Sequence, residues 1–324
     1  MTLEDELVAR CALRRAKELG GLSAEALEVL ADEVRDNLRD FVTTPYEQGL
    51  ATLGAAIDRY HEDAHDDDLR DDDEFYKALA ARRQALLATC EDIMHAAPDC
   101  VEAQLVAIQL DEAGPDAALD RLLLLDEKCE RADGPLPEAT DGDAWDDVLL
   151  RGRLRVQASI SRACLATARY RMAAETCERL MRLSPADMLG ARLTCLLAYA
   201  RLEDEAAFND LDARYDHEGS AWAHLGRLVL LYKLGRMPAA RRALMGFCDL
   251  CEGGAFALLR PTFTDAYLLE RPACERGSYE EAVLAVHEGD PIICDTPELP
   301  NWAATQGDVS DQAGRFAAER GFDW

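Results

Sequence analysis

The sequence predicts an all-α fold built from helical hairpins that repeat along the chain. Three consecutive stretches of nearly equal length, 154–185, 186–219 and 220–252, each carry apolar residues at helical spacing. No stretch alternates apolar and polar residues in the manner of a strand for long. A hairpin of this kind cannot bury its apolar stripe alone, so the hairpins are expected to stack on one another.

Small residues mark the repeat and give its period. Ala173, Ala207 and Ala240 lie 34 and then 33 positions apart. A period of 34 in an all-helical pattern is typical of tetratricopeptide (TPR) repeats. We therefore predict TPR-like hairpins forming a right-handed superhelical solenoid, with Ala173 and Ala240 buried where helices cross.

Composition limits the classes of partner. The 324 residues suffice for about two domains or one elongated array, and 49% of them are hydrophobic. Lys and Arg number 35 against 63 Asp and Glu, for a formal charge of −28. An acidic surface repels nucleic acid and anionic membranes, so neither is an expected partner. The N-terminus has no long apolar segment, and we expect no signal peptide and a cytoplasmic location.

The sequence divides into three regions. Residues 1–143 read as an N-terminal helical region with degenerate repeats, 144–254 as the central array, and 255–324 as a helical and irregular segment packing on it. Thr44 and Glu47 have the spacing of a capping box and predict a helix start. The proline directly after Thr44 supports the same start, because proline is favoured at the first helical position.

Several shorter features complete the pattern. Residues 61–74 carry a run of acids that should be exposed and extended or frayed. Residues 131–143 hold glycines and prolines and predict a loop. The stretch Ser184-Pro185-Ala186-Asp187 predicts a helix start. Beyond the array we expect helices in 255–269, broken at Pro261, in 278–287 and in 309–320, with an irregular segment at 290–302.

The chain contains eleven cysteines, an odd number. Cys164, Cys177, Cys195 and Cys248 occupy positions where small core residues belong on helices. With no export signal, reduced and buried cysteines are the expectation.

A set of short sequence blocks, in the array and beyond it, occurs in a distinctive order. The blocks are 187–192, Tyr215, 220–223, 228–231, 277–283 and Trp302. This order resembles bacterial TPR-like proteins related to the suppression-of-tumorigenicity family, over residues 171–302. The resemblance implies a helical-repeat fold and a role in protein interaction, and it supplies no catalytic residues.

Two short motifs invite a chemical interpretation. His61-Glu62-Asp63-Ala64-His65 matches the H-E-x-x-H pattern, in which two histidines bind zinc and the glutamate activates water. The surrounding acids favour an exposed segment instead, but a zinc-dependent hydrolase remains the rival hypothesis. Cys248-x-x-Cys251 lies late in a helix, where packing is a better interpretation than redox or metal chemistry.

The first helix of each TPR hairpin lines the concave face, and this places a set of side chains in one groove. The candidate peptide-binding residues are Arg155, Arg162, Arg192, Leu196, Tyr199 and Tyr232. Arginine forks suit carboxylates, so the expected ligand is a peptide with acidic side chains or a free C-terminus. The alternative is that each arginine pairs with a neighbouring acid.

These observations lead to one functional expectation. We expect a non-catalytic protein–protein interaction scaffold, without cofactor or metal, that binds a protein or peptide partner in a concave helical groove. The alternatives are the zinc hydrolase and a structural repeat protein that assembles with itself through an exposed repeat end.

Overall fold

The computed structural model describes residues 2–138 and 142–324. It is all-helical, with 72% of the chain in helices and no strand among the described residues. The predicted all-α class is therefore confirmed. None of the helices in the described chain is both long enough and apolar enough to cross a membrane.

The helix bounds are as follows. The first half of the chain contains α1 (Leu3–Glu18), α2 (Ala24–Asp36), α3 (Leu38–Phe41), α4 (Pro45–Asp63), α5 (Asp72–Ala96), α6 (Val101–Gln109), α7 (Pro115–Asp133) and α8 (Arg151–Ala166). The second half contains α9 (Tyr170–Leu183), α10 (Ala191–Leu202), α11 (Glu205–Arg214), α12 (Ala221–Lys233), α13 (Met237–Leu250), α14 (Gly254–Leu259), α15 (Tyr279–Cys294), α16 (Glu298–Ala304) and α17 (Val309–Arg320).

The chain forms two compact units, and the division falls inside α7 and α8. Unit 1 comprises residues 1–114, 121–136 and 144–156, and unit 2 comprises 115–120, 137–143 and 157–324. Within unit 1, α1 packs against α2 and α4, and α5 packs between α4 and α6. Within unit 2, α10 packs against α9, α11 and α12, and α12 also packs against α13 and α15.

The helix start predicted at Thr44 is confirmed. Its hydroxyl accepts a hydrogen bond from the Glu47 N–H at 3.2 Å, and the Glu47 carboxylate accepts from the Thr44 N–H at 3.0 Å. These reciprocal bonds satisfy backbone donors that the first turn of a helix leaves without an internal partner.

The helix start predicted at Ser184 is wrong. A turn follows Ser184, and α10 begins only at Ala191. Asp187 adopts φ +52°, and its carboxylate accepts hydrogen bonds from the N–H groups of Ala191, at 2.6 Å, and Arg192, at 3.3 Å. The acid thus caps the later helix, because its left-handed backbone carries the carboxylate forward to the α10 N-terminus.

The acidic stretch at 61–74 is more ordered than the prediction of an extended or frayed segment. α4 continues through Asp63, a 3₁₀ turn spans Asp67–Leu69, and α5 begins at Asp72. The Asp67 carboxylate pairs with Arg82 of α5, with Oδ2 2.5 Å from Nη2. Asp67 also pairs with Arg70, and these two arginines offset part of the repulsion among the acids.

The region beyond residue 254 is more helical than predicted. α14 ends at Leu259, before Pro261, but α15 continues through Pro291 and α16 occupies part of the segment expected to be irregular. Ile292 and Leu299 are completely buried. Their burial favours helix despite the prolines. The loop expected at 131–143 includes residues 139–141, which lie outside the described residues.

Two of the three small residues of the repeat pattern are buried. Ala173 of α9 and Ala240 of α13 are completely buried, as predicted. Ala207 of α11 is only half-buried, and its neighbour Phe208 fills the core position instead. Gly226 of α12 makes room for that ring, since a Cβ there would lie 3.0 Å from it.

Candidate functional site

Arg155 belongs to the core of unit 1. It is 2% exposed, its Nη1 lies 2.8 Å from Glu6 Oε2, and its guanidinium lies over the Trp145 ring at 5.1 Å. Both charges of the pair are buried, and the guanidinium is already bound by a carboxylate and covered by an aromatic ring. In this structure Arg155 is not available to a ligand.

Arg162 lies in unit 2 and is half-buried. Its Nη2 donates to Ser159 Oγ at 3.1 Å, and the guanidinium lies 5.7 Å from the Tyr267 ring centre. Burial lowers the pKa of Arg162, and the positive charge of Arg271 nearby lowers it further. Two cations therefore share one buried region of unit 2.

Arg192 lies in the first turn of α10. Its Nη2 forms an ion pair with Glu218 Oε2 at 2.6 Å, and its guanidinium lies 4.8 Å from the Tyr215 ring centre. For this arginine the structure favours pairing with a neighbouring acid.

The three remaining candidates face different neighbours. Leu196 is 4% exposed and belongs to the core. The Tyr199 hydroxyl donates to Glu178 Oε1 at 3.1 Å, and the Tyr232 ring packs on Trp302 at 5.1 Å between centres. The five candidates of unit 2 therefore face different partners and do not line one open groove.

The C-terminal part of the chain covers the first helices of the hairpins in unit 2. Three acids at seven-residue intervals, two in α15 and one directly after it, each contact one of these helices: Glu281 accepts from the Ala221 N–H at 3.1 Å, Glu288 accepts from Thr194, and Asp295 pairs with Arg201. α15 thus packs mainly on α12 and also contacts α10, on the face expected to bind a peptide.

The strongest polar contact on this face comes from a non-helical segment. Arg271 Nε and Nη2 lie 2.6 and 2.9 Å from the two carboxylate oxygens of Glu288. Nη1 donates to the carbonyls of Leu189 and Gly190, each at 3.1 Å, and the guanidinium lies 5.1 Å from the Trp222 ring centre. The sequence did not predict this cluster, because Arg271 lies in a stretch without helical spacing.

An open cleft lies between α9 and α10 in unit 2, with a volume of about 510 Å³. It is lined by Arg171, Ala174, Glu175, Glu178, Arg182, Tyr199, Leu202 and Asp204. Glu178 already accepts hydrogen bonds from Tyr199 and from Arg214, whose Nη1 is 3.0 Å away. Within the described chain, neither Arg171 nor Arg182 forms an ion pair.

The zinc-like motif lies at the end of a helix. His61 is in the last turn of α4 and His65 lies beyond it, and both side chains are exposed. In the described residues no group of three or more histidine, cysteine or acidic side chains is placed to hold a metal ion. Among these residues the exposed histidines have no third ligand beside them, and their exposure differs from the dry surroundings of a catalytic zinc.

Cys248 and Cys251 are buried, in α13 and just after it. Burial raises the pKa of each thiol to about 12. Thiolates are the species that bind metals and react in redox chemistry, so this environment disfavours both uses.

Comparison of the chain with protein-family models, curated proteins and solved structures finds no match.

Proposed function

We propose that the protein is a non-catalytic interaction scaffold, built from TPR-like hairpins in a right-handed superhelical arrangement, that binds a peptide segment of another protein. The observation that carries this proposal is the cleft between α9 and α10, where Tyr199 and two arginines that form no ion pair with the described residues line one opening. The site differs from the concave groove expected from the sequence, because α15 and Arg271 cover that face.

The charges of the cleft favour a peptide with separated acids. Arg171 and Arg182 are exposed and lie eleven residues apart on α9, a separation of about 16 Å at 1.5 Å per residue. An extended peptide spans that distance in about five residues. Glu175 and Asp204, between and beside the arginines, would repel further acids. The ligand should therefore carry two acids about five positions apart, not a continuous acidic run.

The cleft also offers apolar surface to such a peptide. Leu202 and the Tyr199 ring line it beside Ala174. Guanidinium–carboxylate bonds would fix the orientation of the peptide, and an apolar side chain between its acids would gain contact area on the tyrosine.

The proposal is tested by selecting peptides from a random displayed library against the wild-type protein and titrating the enriched sequences. The double variant Arg171→Ala, Arg182→Ala should lose about 1–3 kcal/mol of binding free energy for each charged hydrogen bond removed. Arg241→Ala, Arg242→Ala is the matched control, since these exposed arginines of α13 lie outside the cleft.

Two outcomes would contradict the proposed site. Equal affinity for the wild type and the cleft variant would exclude the α9–α10 cleft. A loss confined to Arg162→Ala or Arg192→Ala would move the site to the face formed by the first helices.

A further inference from the structure

Unit 1 contains a second groove, unconnected with the proposed function of unit 2. It has a volume of about 710 Å³ and runs between α1, α2 and the residues that lead into α8. Val8 and Ala12 of α1 form a buried part of its lining, and Leu27 and Ala31 of α2 form a half-buried wall. In this part of the molecule α2 packs on α1 and α3.

The spacing of the lining residues gives the groove a helical shape. Ala24, Leu27 and Ala31 lie on one face of α2, at intervals of three and four residues, and Val8 and Ala12 lie one turn apart on α1. Small and aliphatic side chains on two neighbouring helices leave a trough that matches the apolar stripe of a third helix.

The charges around the trough are predominantly negative. α2 carries five acids, all exposed, and a single arginine. That arginine, Arg35, is paired with Asp32 at 2.7 Å. On the opposite rim Asp146 is exposed, and Arg151 is buried, with its Nε donating to the Trp145 carbonyl at 2.8 Å. The basic side chains of the lining are thus already engaged, while Glu28 and Asp146 face solvent.

We propose that this groove is a docking site for an amphipathic helix of a partner protein that carries lysine or arginine on both sides of its apolar stripe. The apolar stripe would lie on Ala9 and Leu13 of α1, which are half-buried and one turn apart above Val8 and Ala12, and on Leu27 and Ala31 of α2. The flanking cations would face Glu28 on one rim and Asp146 on the other. The net charge of −28 would steer such a helix toward the protein at low ionic strength.

The probe is a pair of synthetic helical peptides of about sixteen residues, the length of α1. Both peptides carry leucine at positions i, i+3, i+4 and i+7, and they differ only in bearing lysine or glutamate at the flanking positions. Each is titrated calorimetrically into the full-length protein, and amide hydrogen exchange maps the protected helices. The lysine peptide should bind one to one and protect α1 and α2, and the glutamate peptide should not bind.

Variants separate docking from general attraction to an acidic protein. Glu28→Lys, Asp146→Lys should weaken the lysine peptide about tenfold or more, since both rims then repel it. Glu91→Lys, Asp92→Lys makes the same change of charge at exposed acids of α5 outside the groove and should bind like wild type. Ala31→Phe fills the trough without altering charge and should also abolish binding, with circular dichroism confirming that it remains folded.

Three results would overturn the proposal. The first is equal binding of the two peptides. The second is equal affinity for the rim and α5 variants. The third is a concentration-dependent dimer, seen by light scattering, that Ala31→Phe dissociates, because the occupant would then be a second copy of this chain.

Discussion

Arg271 and Glu288 form a two-point ion pair in which both side chains are less than 10% exposed. Arg271 comes from a segment without regular structure, and Glu288 from the middle of α15. Arg271 holds the pKa of the Glu288 carboxyl below its usual value, against the opposing effect of burial. The pair thus fixes an irregular stretch of chain to the helices of unit 2.

Removing one partner of this pair should destabilise the protein strongly. Arg271→Ala leaves the Glu288 carboxylate buried without its cation, and we expect a loss of about 3–5 kcal/mol in the free energy of unfolding. Chemical denaturation measures the loss. Arg276→Ala is the control, since its exposed side chain forms only a 3.8 Å ion pair, and it should change stability by about 0.5 kcal/mol or less. Similar losses in both variants would contradict the special role of Arg271.

Gly190 should be intolerant of alanine for two reasons. Its φ is +63°, and a Cβ would collide with the guanidinium of Arg271. Gly235 has a similar φ of +70° but open space around it. Gly235→Ala should therefore cost about 1–2 kcal/mol for the backbone alone, and Gly190→Ala clearly more, as measured by thermal or urea unfolding. Equal losses of stability in the two variants would show that the Arg271 side chain can move away from the added methyl group without a cost in free energy.

Asp187 should make stability fall as the pH rises through the weakly acidic range. Burial raises the pKa of Asp187 to about 6. The N–H donors of Arg192 and Ala191 and the charge of Arg192 lower this pKa, but their combined effect is smaller than that of burial. An unfolded aspartate has a pKa of about 3.9, so between these values the folded chain binds more protons than the unfolded chain. Its contribution of about 2–3 kcal/mol is present below about pH 4 and is lost by about pH 6.

Asp187→Asn isolates this effect, because asparagine keeps a hydrogen-bond acceptor and tolerates positive φ. The difference in unfolding free energy between wild type and the variant, measured by urea titration at several pH values, should decrease with pH across that window. A difference independent of pH would exclude Asp187 as the titrating group.

Enlarging the small residues at the helix crossings should overpack them. Ala173→Leu and Ala240→Leu should each cost about 1–3 kcal/mol. Ala207→Leu should cost less, because Ala207 is half-buried. Thermal unfolding of the three variants provides the comparison, and unchanged melting temperatures for the first two would contradict the packing described for α9 and α13.

Thiol labelling should reveal one reactive cysteine in the folded protein. Nine of the eleven cysteines are buried, Cys274 is half-buried, and Cys294 alone is exposed. Burial raises the pKa of Cys164 to about 11 and hinders access as well. We expect one thiol per chain to react rapidly in native buffer and eleven to react in denaturant. The rapid reaction should be absent in Cys294→Ser. Fast labelling of Cys164, Cys177 and Cys195 would contradict their core positions.

The sequence predicted correctly those features that depend on neighbouring residues within one helix. The capping box at Thr44 and the burial of Ala173 and Ala240 follow from spacing along one helix, and the structure reproduces them. The helix start at Ser184 failed because Asp187 caps α10 from a left-handed conformation, which competes with the proline signal.

The arginines show why the site was harder to predict. A repeat pattern places Arg155 on a helix face, but it cannot predict that Glu6, far away in sequence, forms an ion pair with this arginine. Likewise, no periodicity marks Arg271, whose partners come from α10, α12 and α15. Contacts between distant parts of the chain decide which charged side chains remain free for a ligand.

The position of α15 has a consequence for biosynthesis. Glu288 meets Thr194, a residue 94 positions earlier in the chain. At a synthesis rate of about 5–20 residues per second, Glu288 is made roughly 5 to 20 s after Thr194, and α10 lacks its contacts with α15 during that interval. The hairpins of unit 2 rest on short-range contacts and can form as they emerge, whereas closure over α10 must bridge a long loop. During that interval the newly made chain exposes apolar surface that the finished protein buries, and this is the stage at which it is most open to aggregation or to chaperones.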